Sequence, residues 1–159
     1  MSVGEYCNRE VIVTDKDTSA QEAARLMREY HVGDLLVVEE IGGERVPLGV
    51  VTDRDLVVEI LAPAVDAEAV AVKDLITRGI ATVREDADLW DTLSHMRSLG
   101  IRRMPVINDR GGLEGIFTLD DALELISEQV NDLVKLVKRE VQREARERGP
   151  LPQVEEPEG

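Results

Sequence analysis

A chain of 159 residues with 43 % apolar content has the length of about one ordinary domain and can supply a real core. Its 33 Asp and Glu against 19 Lys and Arg give a net charge of −14, which repels nucleic-acid backbones and anionic lipid over most of the exterior. With one Phe, one Trp and two Tyr there is little to stack on bases, and the single cysteine, Cys7, rules out an intramolecular disulfide or a multi-cysteine metal site. The first ten residues carry neither a basic leader nor an apolar run, and no stretch approaches a membrane span, so no nucleic acid, no membrane and a cytoplasmic setting are expected. The acidity is uneven: residues 1–69 hold 15 acids and 6 bases, residues 70–127 hold 10 and 7. An anionic small ligand fits the second stretch better than the first.

In chain order, Val11–Val13 reads as a short strand, and Ser19 opens a helix whose Ala23, Leu26, Met27 and Tyr30 recur at helical spacing. Leu35–Val38 is a buried strand, Gly42-Gly43 a turn, Leu48–Val51 the returning strand, and Thr52 opens a helix that stops before Pro63. The same succession then runs again: Ala81–Val83, a helix Leu89–Leu99, strands Met104–Ile107 and Leu113–Phe117, and a helix from about Leu119. An offset of 69 residues sets Val3 on Val72, Arg9 on Arg78, Asp17 on Asp86, Met27 on Met96 and Val37 on Val106. After the hairpin loop it falls to 66, setting Gly49-Val50-Val51-Thr52 on Gly115-Ile116-Phe117-Thr118 and Asp55 on Asp121. The expected organisation is α/β: β-α-β-β-α repeats at 1–69 and 70–127, too small to bury much surface alone and therefore packed together with pseudo-twofold symmetry.

The last helix does not stop where its counterpart does. Leu119, Leu123, Ile126, Val130, Leu133 or Val134, Val137 and Val141 continue an apolar stripe through a helical extension at 128–147. That stripe either folds back on its own domain or pairs with another subunit, and a homodimer is the favoured expectation. Residues 148–159, rich in Pro, Gly and Glu, read as a disordered acidic tail.

The repeated Gly-h-h-Thr-x-x-Asp segment, where h is apolar, is the most suggestive motif. Thr-x-x-Asp at a helix start is the pattern of a capping box, in which each side chain meets a first-turn N–H, worth about 1 kcal/mol. The same geometry places a hydroxyl and a carboxylate side by side at a helix N-terminus, where they can hold the vicinal diol of a ribose.

Together with Val72-Lys73-Asp74-Leu75-Ile76 and Gly100-Ile101-Arg102-Arg103-Met104-Pro105-Val106-Ile107, the two motifs make residues 3–127, about four-fifths of the chain, resemble a tandem pair of CBS domains, a Bateman module of the small stand-alone bacterial type. The resemblance implies a non-enzymatic regulatory sensor. It implies no required cofactor, and a cleft between the repeats for an adenosine-containing ligand such as AMP, ADP, ATP or S-adenosylmethionine. By the same resemblance, Thr52 with Asp55 and Thr118 with Asp121 hold ribose hydroxyls. Arg102, Arg103 and Arg54 meet phosphates, and Ile12, Ile80 and Pro105 contact adenine.

Both repeats depart from this pattern: in the first, Gly33-Asp34 stands where the second has Arg102-Arg103, and in the second, Leu119-Asp120 stands where the first has Asp53-Arg54. The loss of the basic pair in the first repeat, and the charge of −9 left there by 15 acids against 6 bases, favour the alternative, a structural dimerisation or interaction module with no nucleotide site in use. An enzyme is not expected, since no nucleophile arrangement, metal cluster or acid–base pair is legible. His31 and His95 read as surface or helix-end residues, with His95 expected to be partly buried because it aligns with Leu26. Cys7 aligns with Ile76 and reads as a small apolar residue. Because no output domain is legible, the regulated partner is expected to be another, unidentified protein.

Overall fold

In the computed structural model, which describes residues 1–76 and 79–149, each repeat builds a three-stranded sheet. Strand β1 (Val13–Asp15) runs parallel to β2 (Asp34–Ile41), which pairs antiparallel with β3 (Glu44–Thr52). Strands β4 (Val83–Arg84), β5 (Arg103–Ile107) and β6 (Leu113–Thr118) repeat that order and those directions. Even the irregularities coincide: the register shifts between Val37 and Val38 and again between Val106 and Ile107, which are equivalent positions.

Helix α2 (Ala20–Tyr30) starts where the Ser19 hydroxyl accepts the Glu22 N–H at 3.1 Å, and α4 (Leu89–Leu99) starts where the Asp88 carboxylate accepts from Trp90 and Asp91. Both end on a residue in the left-handed region, His31 at φ 54° and its equivalent Gly100 at φ 67°. Each turns small or flexible residues inward, Ala20, Ala23 and Met27 from α2 and Leu89, Thr92 and Met96 from α4. With Leu35, Val37 and Val51, or Met104, Val106 and Phe117, these build an apolar core in each repeat. Beyond β3, helix α3 (Asp53–Leu56) runs into a π-helical turn, Val57–Leu61, in which the Ala62 N–H reaches back to the Val57 carbonyl at 2.9 Å.

The two short segments that precede β1 and β4 cross over. Helix α1 (Val3–Tyr6) is bonded to the second repeat: Val3 N–H donates to the Ala87 carbonyl at 2.9 Å and Gly4 N–H to that of Glu85 at 3.0 Å. Reciprocally, the 3₁₀ turn Val72–Leu75 is bonded to the first, Val72 N–H to the Thr18 carbonyl at 2.8 Å and Lys73 N–H to that of Lys16 at 3.1 Å. The donors are 69 residues apart and so are the acceptors, so the exchange follows the pseudo-twofold axis. Val72 and Leu75 accordingly lie in the hydrophobic cluster of the first repeat. The repeats are tied together by these exchanged main-chain bonds as well as by contact between β3 and β6.

Two glycines make room for the exchange. A Cβ on Gly49 would stand 2.5 Å from Ile76 Cγ2, and one on Gly115 would stand 2.6 Å from the Asn8 carbonyl oxygen and 2.7 Å from Cys7 Sγ. Gly49 and Gly115 are the first residues of the two Gly-h-h-Thr-x-x-Asp motifs. Cys7, half-buried against Gly115, has the packing role of its equivalent Ile76.

Residues Met1–Leu119 form one compact unit and the chain from Asp120 a second. Helix α5 spans Leu119–Arg148 without a break. Ala122 and Leu125 are buried, whereas Leu123, Ile126, Val130, Leu133, Val134, Leu136, Val137 and Val141 are exposed. Of the expected disordered tail, residues 150–159 lie outside the described residues.

Candidate functional site

A cavity of about 780 Å³ opens between the two repeats of the first unit, within the size range of small-molecule sites. Its walls come in equivalent pairs: Val11 and Ile80, Val32 and Ile101, Leu36 and Pro105, Val50 and Ile116. The pseudo-twofold axis passes through it, because each repeat contributes the residues just before its first strand, the start of its middle strand and the end of its third. Pairing of β1 begins at Val13, two residues later than the sequence suggests, since Val11 and Ile12 line this cavity instead of extending the sheet.

Polar groups break the symmetry. Glu10, Asp34, Arg102 and Arg103 all border the cavity. Asp34 and Arg103 are equivalent positions, and they form an ion pair with each other across the axis. Of the cations that sequence reasoning assigned to phosphate, Arg103 is thus held by a carboxylate of the opposite repeat. The two third-strand ends are clasped alike: Asp53 N–H donates to the Gly33 carbonyl at 2.9 Å and Leu119 N–H to that of Arg102 at 2.8 Å.

Of the residues read from the sequence, Ile12, Ile80, Pro105, Arg102, Arg103 and Thr118 line the central cavity. Thr52 and Arg54 border an adjoining recess of about 590 Å³ that shares Val32, Asp34 and Arg103 with it. Asp55 borders another, of about 240 Å³, that shares Val50, Gly79 and Ile80. Thr52 and Asp55 do form a capping box: Thr52 N–H donates to Asp55 Oδ2 at 2.8 Å and Asp55 N–H to Thr52 Oγ1 at 3.1 Å. The carboxylate, with four lone-pair directions, keeps acceptor capacity beyond that bond. Asp121 stands in the first turn of α5 and belongs to the second unit. Glu10 and Asp34 were not read as site residues. The signal for Asp34 was present, since it aligns with Arg103 and equivalent positions near a twofold axis can meet.

His31 and His95 are both exposed, so His95 is not partly buried as its alignment with Leu26 suggested; helix α4 turns it to solvent. Among the described residues, no helix is long and apolar enough to cross a membrane.

The CBS domain family profile matches twice, at residues 3–62 and 72–128. An uncharacterised protein of Methanopyrus kandleri is 34 % identical over 125 residues, 79 % of this chain and 62 % of that one, so the chain spans less than two thirds of that relative's length. The CBS domain-containing protein YhcV of Bacillus subtilis is 30 % identical over 120 residues, covering 76 % of this chain and 81 % of that protein. Among solved structures, CBSX2 in complex with AMP is 26 % identical with a TM-score of 0.65, covering 82 % of this chain and 98 % of that one. An uncharacterised conserved protein from Pyrococcus horikoshii is 29 % identical with a TM-score of 0.61, covering 78 % and 90 %. Two matched profiles, two sheets of identical topology and exchanged leaders at the same offset place this chain in the CBS-domain family, as a tandem CBS pair.

Proposed function

We propose that this CBS pair is a non-enzymatic sensor that binds an adenosine-containing nucleotide in the cleft between its repeats and regulates another protein. The observation that carries the reading is the cavity itself: apolar walls from Ile12, Ile80 and Pro105 suit a purine, and Arg102 and Arg103 stand at its border for phosphate. The likeness to a CBS protein solved with AMP supports the ligand class. In this reading Thr118 with Asp121, and Thr52 with Asp55, hold ribose hydroxyls, and Arg54 serves the recess beside Thr52. Signalling then requires that the ligand bind two states of the module with different affinity.

The Asp34–Arg103 ion pair favours a second reading, in which the fold serves as an interaction platform with the anion site already satisfied from within. Thermal denaturation with AMP, ADP, ATP, S-adenosylmethionine and NAD separates the two. A ligand at about 100 times its Kd adds about 2.7 kcal/mol, a rise of roughly 5 to 10 °C for a chain of this size. Flat curves across the panel refute the nucleotide reading. If one ligand acts, Asp121→Ala is expected to remove more of the shift than Asp55→Ala, because the second repeat holds both arginines.

A further inference from the structure

Helix α5 carries an exposed apolar stripe whose occupant is indicated by charge. Leu123, Ile126, Val130, Val134, Val137 and Val141 follow spacings of 3, 4, 4, 3 and 4, an eleven-residue repeat that holds a packing face on one side of a nearly straight helix. At 1.5 Å per residue, the 30-residue helix is about 45 Å long. Its charge is polarised. Residues 120–132 hold five acids (Asp120, Asp121, Glu124, Glu128, Asp132) and no base, whereas residues 133–148 hold six bases and three acids.

We infer that α5 is the interface with a second copy of this chain, the two helices packing antiparallel along this stripe. Antiparallel pairing lays the acidic half of each helix beside the basic half of the other and opposes the two helix dipoles. Parallel pairing sets acid on acid and base on base. A polar or anionic partner has no use for six apolar residues, and a negatively charged membrane surface is repelled by the acidic half. The inference does not depend on nucleotide binding.

The test is solution mass together with helix direction, on the full chain. The intact protein is expected at twice its 17.6 kDa in light scattering at micromolar concentration, and Val130→Glu with Val137→Glu is expected to return it to the single-chain mass. Both valines are exposed in the single chain, so the variant is expected to melt like the parent after the dimer contribution is lost, and circular dichroism checks that it is folded. A parent protein of single-chain mass, or a folded variant that remains dimeric, overturns the inference. For direction, Cys7→Ser serves as background for Leu123→Cys and Val141→Cys. Positions 123 and 141 are about 27 Å apart along one helix, so antiparallel packing about the stripe's midpoint yields a disulfide when the two variants are mixed, and little from either alone. Self-crosslinking of each variant alone, or absence of the mixed product, refutes the antiparallel arrangement.

Discussion

Gly115→Ala tests the exchange of leader segments. Neither Gly115 nor Gly49 has a positive φ, so alanine is conformationally acceptable at both, and in open space it would stabilise the strand by about 0.5–1 kcal/mol through the unfolded state. The sign is set instead by what the new methyl meets. At Gly115 that is the Asn8 carbonyl oxygen, 2.6 Å away, and Asn8 is fixed by two main-chain bonds to Ile116, of 2.9 and 2.8 Å. The leader must move, which adds the cost of weakening those bonds, about 1 kcal/mol each, to an overpacking cost of about 1–3 kcal/mol. Net of the backbone gain, Gly115→Ala is expected to destabilise by about 2–4 kcal/mol, a fall in Tm of roughly 5 to 15 °C. At Gly49 the three atoms nearest the methyl all belong to the side chain of Ile76, with Cγ2 at 2.5 Å, so shortening the neighbour in Ile76→Ala restores the room. Urea unfolding of the parent, the four single variants and the two double variants is the assay. Gly49→Ala is expected to be rescued in large part by Ile76→Ala, while Gly115→Ala is rescued only slightly by Cys7→Ala, since the Asn8 carbonyl remains. Equal costs at the two glycines, or full rescue by Cys7→Ala, would show that the main chain of the leader is not what limits the site.

Asp34→Asn removes a half-exposed ion pair and is expected to change stability by less than about 1 kcal/mol, yet to tighten a phosphate-bearing ligand several-fold while leaving adenosine unaffected. Calorimetric titration of both ligands checks this, and an unchanged ratio of affinities counts against phosphate at Arg103. Asp17, hydrogen-bonded by Lys73, and its equivalent Asp86, hydrogen-bonded by Arg84, are both held below the ordinary carboxylate range. Their contribution is therefore present above that range and lost as pH falls through it, so Tm is expected to decline on acidification below about pH 4. Lys73→Met should flatten only the part of that decline owed to Asp17, and an unaltered acid limb would refute the assignment.

The regular elements were legible because their signals are local: Ser19 at a helix start, short apolar runs for the strands, and an offset that repeated the pattern. The leaders were not. Helix α1 is four residues long, below the length at which periodicity carries information, and its bonds run to carbonyls of Glu85 and Ala87, which any residue types supply. Only the glycines at the head of each motif betray the exchange, and a glycine before two apolar residues and a threonine reads more readily as part of a ligand motif than as a space for Ile76 or Cys7. In the site, Ile12, Ile80, Pro105 and the arginine pair line one cavity, while the motif's Thr52 and Asp55 border different recesses. Capping explains that separation: the box turns the two side chains toward each other's main chain, which fixes the helix start first and leaves ligand contact to the remaining acceptors.

Duplication places like residues face to face across an axis, and this has a direct electrostatic consequence for the cleft. Had both repeats kept arginine at the positions of Asp34 and Arg103, two cations would meet there. At 4 Å in surroundings of effective dielectric about 20, their repulsion is about 4 kcal/mol before screening by salt. An anion between them would relieve it, and such a cleft would favour its empty state least. Asp34 relieves it internally and makes the empty cleft self-sufficient. A phosphate must then displace a carboxylate instead of filling a repulsive gap. Under the proposed nucleotide reading, the cost of that displacement would fall on the ligand's affinity, and Asp34 would be the group whose change of partner marks the occupied module.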